Sequence, residues 1–227
     1  PGLDIYKACT IDLIKKLRNH PSLMFWCGGN EGPNPRENMI VNELLPEYDD
    51  SRFYLKQSDG HGLHGHGPYH TIRPKEYFAH ENLVGFNSEI GPSGIPVLES
   101  LYKFLPRLGK TWKPGFFPLY ADWGYHNATD RKGGDKRRFS AHDAIIRQDY
   151  GITDSSAVAG LAEFAKKAQL VNYDVYRAAI ETVNRDLWTG SSGFALWKYN
   201  SAWPSVVWQI FDWYQRPHAG FYATRLA

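Results

Sequence analysis

The chain has 227 residues, of which 42% are hydrophobic and 22% are charged, and its formal net charge is +2. These values are ordinary for a globular protein long enough to bury one sizeable core, and so small a charge excess gives no reason to expect nucleic acid or a membrane surface as a partner. No apolar run reaches the roughly 18 residues that a membrane-spanning helix needs. The two cysteines, Cys9 and Cys27, form no disulfide framework or CxxC motif.

Helical and strand-like patterns alternate through the first half of the chain. Apolar residues recur every four positions from Ile5 to Leu17, which predicts an amphipathic helix. Pro46 and Pro106 are predicted to follow helix ends, because the residue before a proline avoids helical geometry. In chain order the predicted elements are a helix at 5–17, a strand at 23–27, a helix at 37–45, strands at 52–57, 69–72 and 84–87, and a helix at 96–105.

The second half is less regular. Residues 108–154 show little periodicity and receive no assignment, whereas residues 156–188 carry one long apolar stripe that predicts a long helix. Residues 193–197 predict a last strand. Neither a linker nor an internal repeat is visible, so we expect one domain across residues 1–227.

The predicted strands are continuous apolar runs rather than alternating ones, which is typical of a parallel sheet buried on both faces. In a (β/α)8 TIM barrel the functional side chains collect at the carboxyl ends of such strands, but a complete barrel has eight strands and typically about 250 residues. Five strands are predicted here. The expected fold is therefore α/β, a partial (β/α)8 barrel.

Two of the strand-like segments are followed by a glutamate. Glu31 follows the apolar run at 23–27, and Glu89 follows the run at 83–86. A carboxylate at the end of a core strand is poorly explained by folding alone, because its desolvation costs several kcal/mol. Two such residues are what glycoside hydrolysis needs, one as the acid and one as the nucleophile or base.

Aromatic residues make up 15% of the chain, including 8 Trp and 14 Tyr. Flat aromatic faces line sugar-binding clefts, so this excess is consistent with a carbohydrate-binding protein. For most of the individual tryptophans, packing in the core is the favoured interpretation.

Four histidines, His61, His64, His66 and His70, lie in or just after a glycine-rich loop at 58–68. Their spacing could suit zinc. No cysteine or carboxylate joins them in a register such as HExxH, so a flexible loop beside the cleft is the favoured interpretation. No metal and no other cofactor is expected.

Several segments resemble glycoside hydrolase family 2, in its subgroup of β-mannosidases, endo-β-mannosidases and exo-β-glucosaminidases. Residues 20–31 resemble the acid/base segment of that family and residues 85–91 its nucleophile segment. The resemblance covers nearly the whole chain, through residues 167–173, 193–200, 202–204 and 209–212.

The resemblance implies that the strands at 23–27, 52–57, 69–72, 84–87 and 193–197 are barrel strands four to eight. Strands one to three and the sandwich domains that usually precede the barrel are then missing. We expect this chain to be a fragment of a larger multidomain enzyme, to contact those missing parts, and to have no appreciable glycosidase activity alone.

The resemblance also assigns roles to individual residues. Glu31 is expected to be the general acid and then the general base, and Glu89 the nucleophile. Asn30 is expected to bind the 2-hydroxyl group of the sugar, Tyr69 to donate a hydrogen bond to Glu89, and Trp197 to form the floor of the sugar subsite. The remaining candidates for substrate binding are Trp123, His126, Asn200 and Trp203.

The predicted function is hydrolysis of terminal β-linked sugars of β-mannoside type, with retention of configuration, acting on an oligosaccharide or glycoside. An exo-β-glucosaminidase of the same family is the first alternative, and a non-catalytic carbohydrate-binding protein is the second. The Asn30–Glu31 pair favours mannosidase-like substrates. Retention requires the two carboxyl groups to lie about 5–5.5 Å apart, since no water need fit between them.

Overall fold

The computed structural model describes residues 2–79, 83–106, 125–126, 139–151 and 157–227. The chain divides into two compact units, Pro1–Gly65 and His66–Ala227. Each unit has its own hydrophobic core.

The first unit combines an amino-terminal helix with a parallel pair of short strands. Strands β1 and β2 run in parallel, with Phe25 opposite Phe53 and Cys27 opposite Leu55. The buried residues of its core come from the first helix and from the helical segment between the strands. Its elements are α1 (Gly2–Leu17), β1 (Phe25–Cys27), α2 (Glu37–Met39), α3 (Leu45–Tyr48), β2 (Phe53–Leu55) and β3 (Leu63–His64).

The predicted end of the helix at Pro46 is wrong. A π-helical turn, Ile40–Leu44, joins α2 to α3, so the helical segment continues to Tyr48. In that turn the backbone N–H of Leu45 donates to the carbonyl of Ile40, five residues earlier. This shift of the hydrogen-bond ladder places Pro46 in the first turn of α3, where a backbone N–H is not needed.

The strands of the first unit are less buried than their apolar sequences predict. Cys27 is exposed, and 84% of the surface of Phe53 is accessible. Trp26 and Tyr54 pack against the core of the unit, so alternate side chains such as Phe53 face the opposite side of the two-stranded sheet. The expectation that the strands are buried on both faces is wrong for this pair.

A polar network fixes β1 at its centre. The indole Nε1 of Trp26 donates to Asp49 Oδ2 at 2.9 Å, and Arg52 Nη1 donates to the same oxygen at 2.8 Å. Ser51 Oγ donates to Oδ1 at 2.6 Å. The hydrogen bond from Ser51, together with those from Trp26 and Arg52, lowers the pKa of Asp49 to about 2 despite its burial. The guanidinium group of Arg52 also donates to the carbonyl of Leu23, and this hydrogen bond connects the start of β2 to the chain before β1.

The second unit packs a long helix against a parallel pair of strands. Strand β4 pairs in parallel with β5, with Gly85 opposite Ser191 and Ile90 opposite Leu196, and two register shifts lie between. The described elements are α4 (Pro74–Phe78), β4 (Gly85–Ile90), α5 (Leu98–Phe104), α6 (Ser140–Ile145) with the π-helical turn Ile146–Tyr150 that continues it, α7 (Ala157–Arg185), β5 (Ser191–Leu196) and α8 (Ala219–Leu226).

The apolar stripe of α7 supplies much of the core of the second unit, which confirms the predicted long helix. The buried residues of that stripe are Leu161, Phe164, Ala165, Ala168, Val171, Val175, Ala179 and Val183. Helices and parallel strands in both units confirm the α/β class. Across the part of the chain that the structure describes, no helix has the length and hydropathy to cross a bilayer.

Candidate active site

Glu31 follows β1 in a tight turn that two glycines make possible. A Cβ atom on Gly28 would lie 1.8 Å from the hydroxyl oxygen of Tyr54, and one on Gly29 would lie 2.0 Å from the carbonyl of Gly32. Asn34 Nδ2 closes the turn by donating to the carbonyl of Gly28 at 2.7 Å. The Gly-Gly pair therefore lets the chain fold back directly after the strand.

The backbone of Glu31 is fixed in the left-handed region, at φ 51°. Its N–H donates to Ser58 Oγ at 3.0 Å, and the N–H of Ser58 donates to the carbonyl of Gly29 at 2.9 Å. Glu31 and Asn30 are both exposed. The argument that desolvation marks a functional carboxylate is therefore wrong for Glu31 in this structure, because its turn holds it in solvent.

Glu89 lies within β4, as the fifth of six strand residues, and is half-buried. The strand continues beyond the predicted end at residue 87, so Glu89 does not follow the strand as expected. The hydroxyl group of Tyr69 donates to Glu89 Oε2 at 2.6 Å. That distance is typical of a charge-assisted O–H···O⁻ hydrogen bond, which orients the carboxylate.

Tyr69 belongs to a segment that was predicted as a strand at residues 69–72 and is not one. Its carbonyl accepts hydrogen bonds from Trp208 Nε1 at 2.6 Å and from Ser93 Oγ at 3.2 Å. Side-chain donors thus occupy the backbone acceptor that a neighbouring strand would use. The rings of Tyr69 and Trp208 also meet edge to face, with centroids 6.0 Å apart.

Sequence reasoning missed Trp208, although it holds the residue that orients Glu89. Its own backbone lies in the left-handed region, at φ 53°, and its carbonyl accepts a hydrogen bond from the hydroxyl of Tyr176 at 2.6 Å. The same hydroxyl contacts the carbonyl of Pro92 at 2.7 Å. The buried Tyr176 thus connects α7 to the segments on either side of the Glu89 site.

Trp197 lies immediately after β5 and beside the end of β4. Its N–H donates to the carbonyl of Ile90 at 2.8 Å, and a Cβ atom on Gly91 would lie 2.0 Å from its carbonyl oxygen. The Trp197–Lys198 peptide bond is cis. Because 40% of the Trp197 surface remains accessible, a partly exposed indole directly follows Leu196, the residue that lies opposite Ile90 in the sheet.

A second aromatic cluster involves two further predicted residues. The rings of His126 and Trp203 stack with centroids 5.4 Å apart, and Tyr125 meets both rings edge to face. His126 Nδ1 lies 2.5 Å from the carbonyl of Pro204. Asn200 is exposed and forms an isolated parallel bridge with Phe211. Trp123 lies outside the described residues.

No cluster of three or more His, Cys, Asp or Glu side chains with metal-binding geometry occurs among the described residues. Of the four loop histidines, His61 has a left-handed backbone at φ 54°, and His64 is the second residue of β3. The chemistry that the described site offers is that of a carboxylate oriented by Tyr69, on a strand whose last residue is bonded to the backbone of the partly exposed Trp197.

Comparisons with known proteins identify relatives of one enzyme group. No protein-family model matches the chain. A mannosylglycoprotein endo-β-mannosidase of Lilium longiflorum is 30% identical over 98% of the chain and 27% of its own length. An exo-β-D-glucosaminidase of Streptomyces avermitilis is 29% identical over 98% of the chain and 25% of its own length.

Solved structures of the same group share the fold. An exo-chitosanase of Amycolatopsis orientalis in complex with PNP-β-D-glucosamine superposes with a TM-score of 0.77 at 22% identity, covering 98% of this chain and 27% of that one. A β-D-mannosidase of Dictyoglomus thermophilum superposes with a TM-score of 0.61 at 25% identity, covering 93% of this chain and 27% of that one.

The chain thus spans about a quarter of the length of these relatives. Its homologues are named endo-β-mannosidase, exo-β-glucosaminidase and β-mannosidase, and its structural neighbours are an exo-chitosanase and a β-mannosidase. The resemblance to glycoside hydrolase family 2 that the motifs predict is confirmed, since the homologues and structural neighbours of the chain are enzymes of its β-mannosidase, endo-β-mannosidase and exo-β-glucosaminidase subgroup.

Proposed function

We propose that this chain carries both carboxylates of a retaining β-glycosidase that hydrolyses terminal β-linked sugars of β-mannoside type. Glu89 attacks the anomeric carbon and forms a glycosyl ester. Glu31 first protonates the leaving oxygen and then removes a proton from the water that hydrolyses the ester. The single observation that carries the proposal is the 2.6 Å hydrogen bond from Tyr69 to Glu89.

That hydrogen bond suits a nucleophile for a physical reason. A carboxylate attacks with one oxygen, so its orientation must be fixed before the sugar arrives. The Tyr69 hydroxyl fixes Oε2, and the Trp208 and Ser93 side chains fix the backbone of Tyr69. A carboxylate that served only to hold the fold would not need a supporting donor that is itself held by two further donors.

The neighbouring residues suit sugar binding. The partly exposed indole of Trp197, bonded through its backbone to Ile90, offers an apolar face next to the nucleophile strand. Asn30, next to Glu31, can contact the 2-hydroxyl group of the sugar, a contact that strengthens in the transition state. Trp203 with His126, the exposed Asn200 and Trp123 remain candidates for the outer part of the cleft.

The place of the chain in a barrel belongs to the same proposal. We assign β1 and β2 to barrel strands four and five, the segment at 69–72 to the position of strand six, and β4 and β5 to strands seven and eight. The parallel pairing of β1 with β2 and of β4 with β5 supports this order. The remaining strands, and any sandwich domains, would come from other parts of a larger enzyme and contact this chain.

Azide rescue of the full-length protein that contains this chain tests the two roles. Glu89→Ala should abolish hydrolysis of nitrophenyl β-glycosides, and azide should restore it by occupying the vacated space, giving a glycosyl azide of inverted configuration. Glu31→Ala should keep a fast first step on substrates with good leaving groups, and its azide product should keep the original configuration. Glu99→Ala, an exposed glutamate in the first turn of α5, is the matched control and should behave as wild type.

Three outcomes would contradict the assignment. An exchange of the two rescue products would reverse the roles of Glu31 and Glu89. An inverted first product in the wild-type reaction, observed by NMR, would exclude double displacement. Binding of the glycosides without hydrolysis by the wild-type protein would favour a non-catalytic carbohydrate-binding protein.

An exo-β-glucosaminidase is the second candidate, because exo-β-D-glucosaminidases are among the relatives and one structural neighbour is complexed with PNP-β-D-glucosamine. Both candidates use the same two carboxylates. The distinction therefore rests on the sugar that the cleft accepts, and a comparison of 4-nitrophenyl β-D-mannoside with the β-D-glucosaminide measures it.

A further inference from the structure

Lys198 follows directly after Trp197, the candidate floor of the sugar subsite. Its Nζ atom lies 5.8 Å from the centroid of the Trp197 ring, within the range of a cation–π contact. The side chain is partly buried, and this burial lowers the pKa of its ammonium group. A positive charge therefore lies over the ring of the partly exposed indole.

The charge of Lys198 has no carboxylate partner among the described residues. The ion pairs found among the described residues involve other basic side chains, such as Arg73 with Asp149 and Lys167 with Glu163. Burial lowers the pKa of Lys198, and no acidic side chain among the described residues raises it. Partial desolvation of an ammonium group that has no carboxylate partner in the described part of the chain is unfavourable. Stabilisation of the fold therefore does not explain its position.

The backbone holds Lys198 in place beside β4. Its N–H donates to the carbonyl of Trp208 at 3.3 Å, and its carbonyl accepts from the N–H of Ile210 at 3.2 Å. Trp197, one residue earlier, is bonded to Ile90. The ammonium group thus projects from a segment that is fixed on both sides, next to the strand that carries Glu89.

We propose that Lys198 is a specificity-determining residue that makes the sugar subsite accept β-glycosides with a hydroxyl group at C2 and reject 2-amino glycosides. The inference rests on the proposed function and names its substrate class. A 2-amino sugar carries an ammonium group when protonated, and a second fixed ammonium group nearby repels it. A neutral sugar offers hydroxyl oxygens, which accept hydrogen bonds from a lysine that has three donors and no acceptor.

The inference separates this chain from part of its own enzyme group. The structural neighbour complexed with PNP-β-D-glucosamine has the same fold at 22% identity, and fold likeness at that level does not carry substrate preference across. A single charge over the indole is enough to invert a preference, because a factor of ten in specificity corresponds to only about 1.4 kcal/mol.

The test compares two substrates on the full-length protein that contains this chain. The ratio of kcat/KM for 4-nitrophenyl β-D-mannoside to that for 4-nitrophenyl β-D-glucosaminide should favour the mannoside in the wild type. Lys198→Met removes the charge while keeping similar length, and should lower that ratio about tenfold, chiefly by improving the glucosaminide. Lys198→Arg keeps the charge and should keep the ratio within about threefold.

Lys103→Met is the matched control. Lys103 Nζ also lies over an aromatic ring, 4.4 Å from the centroid of Tyr214, so the variant removes a lysine charge and a cation–π contact elsewhere. Its substrate ratio should equal that of the wild type. If Lys198→Met unfolds, as shown by circular dichroism, Lys198→Gln takes its place.

Binding measurements distinguish a failure of this inference from a failure of the proposed function. Calorimetry with methyl β-D-mannoside and methyl β-D-glucosaminide should show the same order of preference and the same response to Lys198→Met. An unchanged kcat/KM ratio in both neutral variants, or a wild-type preference for the glucosaminide, overturns the role of Lys198. Selective binding of the mannoside with no hydrolysis of either substrate overturns the proposed function but supports the role of Lys198.

Discussion

The hydrogen bond between Tyr69 and Glu89 allows a quantitative prediction. Tyr69→Phe removes the hydroxyl group that donates to Glu89 Oε2 at 2.6 Å and leaves the aromatic ring that contacts Trp208. A hydrogen bond to a charged group contributes about 1.5–3 kcal/mol. At 1.36 kcal/mol for each factor of ten, the loss predicts that kcat/KM for a nitrophenyl β-glycoside falls roughly 10- to 150-fold in the full-length protein that contains this chain.

The physical reason is loss of orientation of the nucleophile. Without the hydroxyl group, the carboxylate can rotate, so fewer of its conformations place an oxygen against the anomeric carbon. The effect should therefore fall on formation of the glycosyl ester, which kcat/KM reports. The melting temperature should change little, because the ring remains and the backbone of Tyr69 is held by Trp208 and Ser93.

Tyr150→Phe provides the matched control for this prediction. The hydroxyl of Tyr150 also donates to a carboxylate, at 2.7 Å from Asp174 Oδ2, in an exposed pair. The control removes the same kind of hydrogen bond without touching Glu89, and its kcat/KM should stay within twofold of wild type. A Tyr69→Phe variant that is equally active would refute the role of Tyr69 in orienting the nucleophile.

Two further predictions concern the packing that supports the site. Gly91→Ala should lower the free energy of unfolding by about 2 kcal/mol or more and reduce activity, because the new Cβ would lie 2.0 Å from the carbonyl oxygen of Trp197. Gly190→Ala is the control, since its Cβ would lie 3.6 Å from its nearest atom. In a denaturant titration, the control should unfold as the wild type does. Burial lowers the pKa of His142 to about 4, below its unfolded value near 6.5, so the unfolded chain binds the extra proton first. The contribution of His142 to the free energy of unfolding should consequently fall by up to about 1.4 kcal/mol per pH unit as the pH drops from 6.5 to 4, and His142→Gln should make that part of the curve less steep. Burial lowers the pKa of His218 to about 3, which adds a slope of the same sign in both proteins, so an identical pH dependence in the variant would refute the contribution of His142.

The His142 prediction depends on a network with one consistent protonation state. Thr71 Oγ1 lies 2.5 Å from Nδ1, and Asn172 Oδ1 lies 2.9 Å from Nε2. Asn172 Oδ1 also accepts from the N–H of Ile95 at 3.1 Å. A neutral imidazole that accepts from the threonine and donates to the amide oxygen satisfies every group, whereas a second proton on Nδ1 would face the threonine hydroxyl in a buried site.

Elements that depend on local pattern could be predicted from the sequence. The stripe on α7 identifies the buried face of that helix, and both predicted helices are observed. The four-residue repeat on α1 predicted the helix but not its buried face, because Ile5 and Leu13 of the repeat are exposed whereas Ile14 is buried. The end of α3 could not be read from Pro46, because the π-helical turn before it changes which backbone groups need partners. A proline marks a helix end only when the hydrogen-bond ladder keeps its ordinary register.

The contacts of the candidate site also differ in how far the sequence predicts them. The motif resemblance implied the contact of Tyr69 with Glu89, which are 20 residues apart. The role of Trp208 could not be predicted from the sequence, because its indole donates to a backbone carbonyl 139 residues away. Every residue has such a carbonyl, so the identity of Tyr69 does not indicate the contact. The failed strand at 69–72 has the same origin, since its apolar residues fit a strand while its backbone acceptor is already occupied by side chains.

These long-range contacts explain how a short strand can hold a reactive group in a defined position. The carboxyl end of β4 is fixed twice: Tyr69 holds the side chain of Glu89, and the N–H of Trp197 holds the backbone of Ile90. Tyr69 is held by Trp208, whose carbonyl is bonded to the buried Tyr176 on α7. The position of the Glu89 carboxylate therefore depends, through Tyr69 and Trp208, on the long helix α7 and its core. Because a misplacement of about 1 Å can cost a hundredfold in rate, substitutions at Tyr176 or Trp208 should affect activity even though neither side chain carries the chemistry.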